Sequence, residues 1–324
     1  MKKTIQALAA AAAILLSCHG MAAETATGKT DIVPSGTYKY AQRDTCDLFL
    51  DIYEPASGMT LTQEGTEKPT VIFMFGGGFI GGKRDDAHYG KWFDAMASNG
   101  YRVVSIDYRL GLAGARKVGI AQVNLLDRAI HMAVEDLFSA TAFLIENAET
   151  LGIDPDNIVI SGSSAGAITV LQAEYELCNM TQYAGVLPDG FRYAGVISFS
   201  GAILSREGLP DYSRAPSPTL LLHGTEDSLV NYGQIRFFNI GFFGSDRLAR
   251  RFGQEGYDYN ILRFKGHGHE IAGSMYETLR YQFEFLEENI IRKSRRIVDA
   301  LIDDPAIPDY GGAQSRKEMY GGKD

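Results

Sequence analysis

The chain of 324 residues is 45% hydrophobic and 22% charged, the balance of a globule long enough to bury one sizeable α/β core. Its formal charge of −9, with Lys and Arg scattered along the sequence, excludes the basic surface that a nucleic-acid partner needs.

Lys2 and Lys3 precede an apolar run over 5–16 that is too short to span a bilayer. Residues 1–23 therefore read as an export signal. The mature chain is expected in the periplasm or secreted, with no transmembrane segment. Two exits from the signal are open. Gly20-Met21-Ala22-Ala23 suits ordinary cleavage, and Leu15-Leu16-Ser17-Cys18 is similar to a lipobox, which would leave a lipid anchor on Cys18. Cys46 and Cys178 have no spacing signature and read as separate buried thiols.

Further along, β-type runs at 48–53, 71–75, 102–106, 158–161, 195–199, 219–223 and 260–264 alternate with helical stretches at 88–98, 133–149, 165–177, 246–254 and 271–291. Such alternation demands crossover connections, hence an α/β fold with a mostly parallel sheet and helices on both faces. The catalytic domain is expected over 37–292. After Arg292 the chain turns polar and rich in Pro and Gly, so 293–324 reads as a mobile tail.

The chemistry centres on Gly162-Ser163-Ser164-Ala165-Gly166, placed between a strand and a helix. That is the setting of a nucleophile elbow, in which flanking glycines let the backbone pack around a strained turn and the central serine projects above the sheet. Ser164 is the candidate nucleophile. Only the central residue of an elbow points at a substrate carbonyl, so Ser163 is expected to be dispensable. A serine hydroxyl needs a base, and the base needs a carboxylate to hold its tautomer. The sequence has six histidines. His267 and His269 follow the strand at 260–264, at the sheet end where such sites assemble. His269 is preferred because it immediately precedes the last helix, and His267 remains the alternative. Asp227 follows the strand at 219–223, with Glu226 as its rival on residue type alone. Gly76-Gly77-Gly78 follows the strand at 71–75 and lets backbone approach a substrate closely, so the N–H groups of Gly77, Gly78 and Ala165 are candidate oxyanion donors.

From about Asp47 to about Glu288 the sequence resembles the bacterial carboxylesterase and hormone-sensitive-lipase-like branch of the α/β hydrolases. Asp51-Ile52-Tyr53-Glu54-Pro55 is similar to an early D-x-Y-x-P strand, Phe75-Gly76-Gly77-Gly78 to the H-G-G-G oxyanion motif, Asp107-Tyr108-Arg109-Leu110 to D-Y-R-L, and His223-Gly224-Thr225-Glu226-Asp227 to H-G-x-x-D. The resemblance implies an α/β-hydrolase fold and favours Asp227 over Glu226 as the acid of a triad with Ser164 and His269. Two departures stand out. Phe75 replaces the motif histidine that helps to hold the oxyanion loop, and Ser163 replaces the acidic residue frequent before the nucleophile.

The expected activity is hydrolysis of small-molecule or carbohydrate esters through an acyl-enzyme, a chemistry that calls for no cofactor and no metal. Little chain precedes the first strands, so the family's large N-terminal cap is absent or minimal, and a shallow site suited to short acyl chains is expected. Export adds acetyl or feruloyl groups on polysaccharide as candidate esters. The alternatives are a serine peptidase of the same fold and a catalytically inactive surface-binding relative. Three segments are expected to shape the pocket, at 111–130, 202–218 and 231–245. The last carries Phe237, Phe238, Phe242 and Phe243, read first as core and second as pocket lining. Trp92 reads as helix packing, Arg109 and Asp136 as a buried pair, His223 as a brace for the acid loop, and His88 and His131 as ordinary histidines without ligand spacing.

Overall fold

The computed structural model describes residues 32–308 except 45, 56–58, 63–64, 66 and 115–120. The export segment and Cys18 lie outside the described residues. Along the chain the strands are β1 (Gly36–Gln42), β2 (Asp47–Tyr53), β3 (Thr70–Met74), β4 (Val103–Ile106), β5 (Ile158–Ser163) and β6 (Gly195–Phe199). They continue with β7 (Ala202–Ser205), β8 (Thr219–Gly224), β9 (Gln234–Phe237), β10 (Ile240–Gly244), β11 (Tyr259–Phe264) and β12 (Val298–Ile302). Among the described residues, nine of them form one sheet in the order β1-β2-β4-β3-β5-β6-β8-β11-β12. β1, β2 and β4 pair antiparallel, and every other pairing is parallel.

β3, β4, β5, β6 and β8 are buried at every position, because a parallel sheet covered on both faces needs continuous apolar strands rather than alternating ones. The long helices are α1 (Gly90–Ser98), α2 (Ala121–Glu146), α3 (Ala165–Cys178), α4 (Ser245–Glu255) and α5 (Leu279–Phe285). α3 packs against β3, β5 and β6, and α2 packs beside it. The Tyr175, Tyr212 and Phe252 rings join α3 edge-to-face to α4. On the other face Phe73 of β3 meets Trp92 and Phe93 of α1. The fully buried Trp92 donates to Gln282 of α5 at 2.7 Å, so its role is helix packing.

All seven expected strands are present. β1, β7, β9, β10 and β12 were not anticipated. The tail reading of 293–324 does not hold for its first part: Val298–Ile302 is the edge strand of the main sheet, parallel to β11. The overall polarity of the segment hides a short alternation in which Val298, Ala300 and Ile302 are half-buried on one face and Asp299 and Leu301 are exposed on the other. The Asp299 carboxylate meets Arg263 at 2.6 Å, Val298 N–H donates to Asn260 Oδ1 at 2.8 Å, and Ile307 is buried in the core. Residues 309–324 lie outside the described residues.

The last helix is also not the single element expected over 271–291. A 3-10 turn at His269–Ala272 is followed by α5 and then by a π-helical turn at Leu286–Ile291. Thr278 bonds back to the Ser274 carbonyl, and Gln282 spends its amide on Met275 O, so local side-chain bonds compete with a continuous helix. The expected helix at 133–149 starts earlier, at Ala121, so part of the 111–130 segment is helical rather than a pocket loop.

A chain ending at residue 296 removes β12 and Ile307 and leaves the β11 edge unpaired. It is expected to lose about 2–4 kcal/mol of stability, read as a lower urea midpoint. An unchanged midpoint would show that the C-terminal strand adds nothing to the sheet.

Candidate active site

Ser164 stands between β5 and α3 with φ 51° and ψ −111°, a left-handed backbone that a residue with a side chain rarely adopts. Close packing holds it there. A Cβ on Gly162 would lie 2.3 Å from the Gly166 carbonyl, and one on Gly166 would lie 2.1 Å from Met74 O. Only glycine fits either place, which gives the G-x-S-x-G spacing a steric cause. Ser164 N–H donates to Phe199 O at 2.9 Å, tying the turn to the next strand. The serine is 9% exposed and sits at the N-terminus of α3, where the helix dipole favours negative charge.

The structure brings Ser164, His269 and Asp227 together. Ser164 Oγ lies 2.8 Å from His269 Nε2, and His269 Nδ1 lies 2.8 Å from Asp227 Oδ2. Asp227 is buried, and its Oδ1 accepts the backbone N–H groups of Leu229 at 2.8 Å and Val230 at 3.0 Å. Burial alone would raise the Asp227 pKa. The His269 charge and the hydrogen bonds from His223 and His269 outweigh it and hold the carboxyl well below the usual carboxylate range. An ionised Asp227 makes Nδ1 the protonated nitrogen of His269 and leaves Nε2 free to accept the Ser164 proton.

His223 braces this acid. Its Nε2 faces two acceptors, Asp227 Oδ2 at 3.1 Å and Val230 O at 2.9 Å, and so carries the proton, while Nδ1 accepts from Ser245 Oγ at 2.7 Å. Gly224 shows why the acid loop begins with glycine. A Cβ there would meet Gly268 O at 2.2 Å and His267 O at 2.3 Å. The acid and histidine loops therefore touch backbone to backbone, and Glu226 N–H donates to His267 O at 2.9 Å. The two rivals fall outside the site. Glu226 is exposed, and His267 turns Nδ1 to Glu270 at 3.0 Å.

Gly77 and Gly78 adopt φ 124° and 64°, and a Cβ on Gly77 would strike Gly81 O at 2.1 Å. Their loop lies over the elbow, since a Cβ on Gly76 would be 3.3 Å from Ser164 Cβ. Among the described residues, the N–H groups of Gly77, Gly78 and Ala165 have no backbone acceptor outside regular elements. Phe75 stacks on Tyr108 at 4.4 Å between ring centres, and Tyr108 Oη donates to Phe75 O at 2.8 Å.

The other family-like residues serve the framework. Asp51 and Asp107 converge on Arg84, at 2.9 Å and 2.7 Å, a partner that sequence spacing did not reveal. Arg109 pairs with the buried Asp136 at 2.9 Å, as expected. Phe242 and Phe243 are core residues on β10, whereas Phe238 is exposed at the tip of the β9–β10 hairpin. His131 faces Glu176 at 3.1 Å and stacks on Tyr183. Cys46 is exposed rather than buried, Cys178 is buried, and no disulfide joins them. Among the described residues, no three His, Cys, Asp or Glu side chains are placed to hold a metal, and no helix is long and apolar enough to cross a membrane. A polar cavity of about 560 Å³ runs beside the far half of α3, lined by Gln172, Tyr175 and Glu176 among others, away from Ser164.

The profile of the BD-FAE family matches residues 50–177, and that of the phospholipase/carboxylesterase family matches 124–239. Lipase 2 of Moraxella sp. (strain TA144) is 30% identical over 142 residues, which are 44% of this chain and 29% of the lipase. Carboxylesterase 5A of Canis lupus familiaris is 33% identical over 126 residues, 38% of this chain and 19% of that protein. The chain thus matches less than a third of the length of these relatives. Among solved structures, a thermophilic esterase of Thermogutta terrifontis superposes with a TM-score of 0.60 at 25% identity, covering 80% of this chain and 93% of that one. Its propionate-bound form superposes with a TM-score of 0.59 at 25% identity over 80% and 95% of the two chains.

Asp227 makes acid stability a direct check of its environment. Its folded pKa lies below the unfolded value of about 3.9, so its contribution is complete above that pH and is lost as pH falls towards the folded value. The stability advantage over Asp227→Asn, from urea unfolding, should be steady above about pH 5 and shrink as pH falls from about 5 to about 2. An advantage that stays constant or grows on acidification would mean that the carboxyl is not held ionised.

Proposed function

We propose that this chain, which has the α/β-hydrolase fold, hydrolyses carboxylic esters through Ser164. The observation that supports this most is the unbroken line of hydrogen bonds from Ser164 Oγ through His269 to the buried Asp227. The coverage of the Thermogutta esterase adds to it, since that likeness runs over nearly the whole of the other chain.

In the mechanism, Ser164 Oγ attacks the ester carbonyl carbon while its proton passes to His269 Nε2. The new oxyanion is received by the N–H groups of Gly77, Gly78 and Ala165. Asp227 keeps the imidazole in the required tautomer and stabilises its charged form. Collapse of the tetrahedral intermediate breaks the C–O bond, and the leaving alkoxide takes the proton back from His269. Water then repeats the sequence on the acyl-enzyme, giving the carboxylic acid and free Ser164.

The preferred acyl groups in this proposal are short. The Thermogutta esterase has structures with propionate and with butyrate bound. Acetyl or feruloyl esters of carbohydrate are the substrates an exported enzyme of this kind would meet.

Ser164→Ala should abolish hydrolysis of p-nitrophenyl acetate while leaving the melting temperature unchanged. Asp227→Asn offers Nδ1 an amide donor, favours the wrong tautomer, and should lower kcat by about 10⁴. Substantial activity in the Ser164→Ala protein would end the proposal. Across p-nitrophenyl esters kcat/KM should peak from acetate to butyrate and fall by octanoate, and a matching amide should turn over far more slowly. A steady rise to palmitate would point to a lipase, and equal amide turnover to a peptidase.

A further inference from the structure

The polar cavity beside α3 lies apart from the acyl-transfer centre. Gln172 and Glu176, which line it, stand about two and three turns further along the helix than Ser164, or about 12–18 Å at the α-helical rise. Both are buried, at 2% and 4% exposure. Glu176 Oε1 accepts from Gln172 Nε2 at 2.7 Å and faces His131 Nε2 of α2 at 3.1 Å, while Gln172 Oε1 accepts the Leu204 N–H of β7 at 3.2 Å. These bonds tie α2, α3 and β7 together, so the cavity has a fixed polar floor. Half-buried Tyr175 and Tyr183 add aromatic walls. Tyr183, on the 3-10 turn Gln182–Val186, stacks on His131 at 4.4 Å between ring centres, and Tyr175 is held edge-on against Tyr212 at 5.5 Å. Among the described residues, neither the Tyr175 nor the Tyr183 hydroxyl has a hydrogen-bond partner.

The charges around the cavity are spent on one another. Asp127 pairs with Arg206 at 2.9 Å, Glu176 with His131 at 3.1 Å and Asp211 with Arg251 at 2.7 Å. Arg206 also donates to Asn124 at 2.6 Å. Burial alone would lower the His131 pKa, but the hydrogen bond to Glu176 outweighs it and raises the imidazole above its usual value, which favours the charged form opposite the carboxylate. An anion therefore finds no spare cation. Of the four lining carboxylates only Glu207 lacks a cationic partner among the described residues, so a polycation finds little more. Among the described residues, no three side chains are placed to hold a metal. An acyl chain would cover the buried amide and carboxylate without offering them a hydrogen bond, which is costly. What suits the lining is an uncharged molecule rich in hydroxyls, with a C–H face to lie against a tyrosine ring and donors for carboxylate and amide oxygens. The volume of about 560 Å³ is that of a small-molecule site. We propose that this cavity is a second binding site, which takes a neutral saccharide unit and anchors a carbohydrate chain to the protein away from Ser164.

The site does not depend on the esterase reading, and the test uses unesterified sugars at equilibrium, so either proposal can fail without the other. In calorimetric titration of the full chain with the neutral β-linked hexasaccharides of xylose, glucose and mannose, at least one should bind with a Kd of about 1 mM or tighter. Hexagalacturonate, an anionic counterpart, and spermine, a cation, should bind at least about tenfold more weakly. Tyr175→Phe keeps the ring and removes only the hydroxyl, and it should weaken the sugar by about threefold or more. Tyr183→Ala removes a wall and should weaken it by about tenfold or more. Melting temperatures show that each variant is folded, and the isosteric Tyr175→Phe carries the test should Tyr183→Ala unfold. Any hydrolysis of p-nitrophenyl acetate should stay at the parental rate in both. No binding of any neutral hexasaccharide, binding that either folded variant leaves at parental strength, or tighter binding of a charged probe would overturn the proposal.

Discussion

The left-handed backbone at Ser164 is the constraint around which the site is arranged. A non-glycine residue at φ 51° costs on the order of 1–3 kcal/mol, and it persists only where the surroundings leave no alternative. Here the surroundings are the C-terminal ends of β3 and β5 and the first turn of α3. With Gly162 and Gly166 reduced to bare backbone, the helix start closes to within 2.1 Å of where a Cβ would sit against Met74 O. The deep, wholly buried central strands give this squeeze its rigidity. The same turn places Ser164 Oγ at the N-terminus of α3, where the helix dipole favours negative charge.

Electrostatic order follows from the neighbouring strand ends. β8 and β11 are parallel and in register, with Gly224 opposite Phe264, so the loops that carry Asp227 and His269 leave the sheet side by side. Gly224 allows them to touch. Burying a carboxylate is costly unless donors surround it, and Asp227 has four, two from backbone and two from histidines. His223 is thus part of the support for the acid, its Nε2 proton held by Asp227 Oδ2 and Val230 O while Ser245 at the start of α4 donates to Nδ1.

Much of this was legible in the chain. Five of the seven expected strands, β3, β4, β5, β6 and β8, announce themselves because strands covered on both faces are continuous runs of apolar residues. Gly162 and Gly166 around Ser164 carry a steric signal in their spacing, and the placement of His269 and Asp227 after strands narrows the choice to a few residues. Other features depend on tertiary context. Val298–Ile302 is half-exposed and embedded in polar sequence, so only its partner β11 makes it a strand. β7, β9 and β10 are short pieces of a small separate sheet whose pairing, Phe243 opposite Ile203 for instance, has no local signature. Arg84 between Asp51 and Asp107 joins residues tens of positions apart, and no spacing rule could have placed them together.

The central claim is that Ser164 carries the acyl group between the two half-reactions, and rapid kinetics with an acid quench tests it directly. Mixing the protein with excess p-nitrophenyl acetate should release a burst of nitrophenol close to one equivalent per chain if deacylation is the slower step. Peptide mapping of the quenched sample should find the acetyl group on the segment containing Ser164. An acetyl group on another residue, or hydrolysis with no acyl-enzyme even when deacylation is slowed at low pH, would contradict the account.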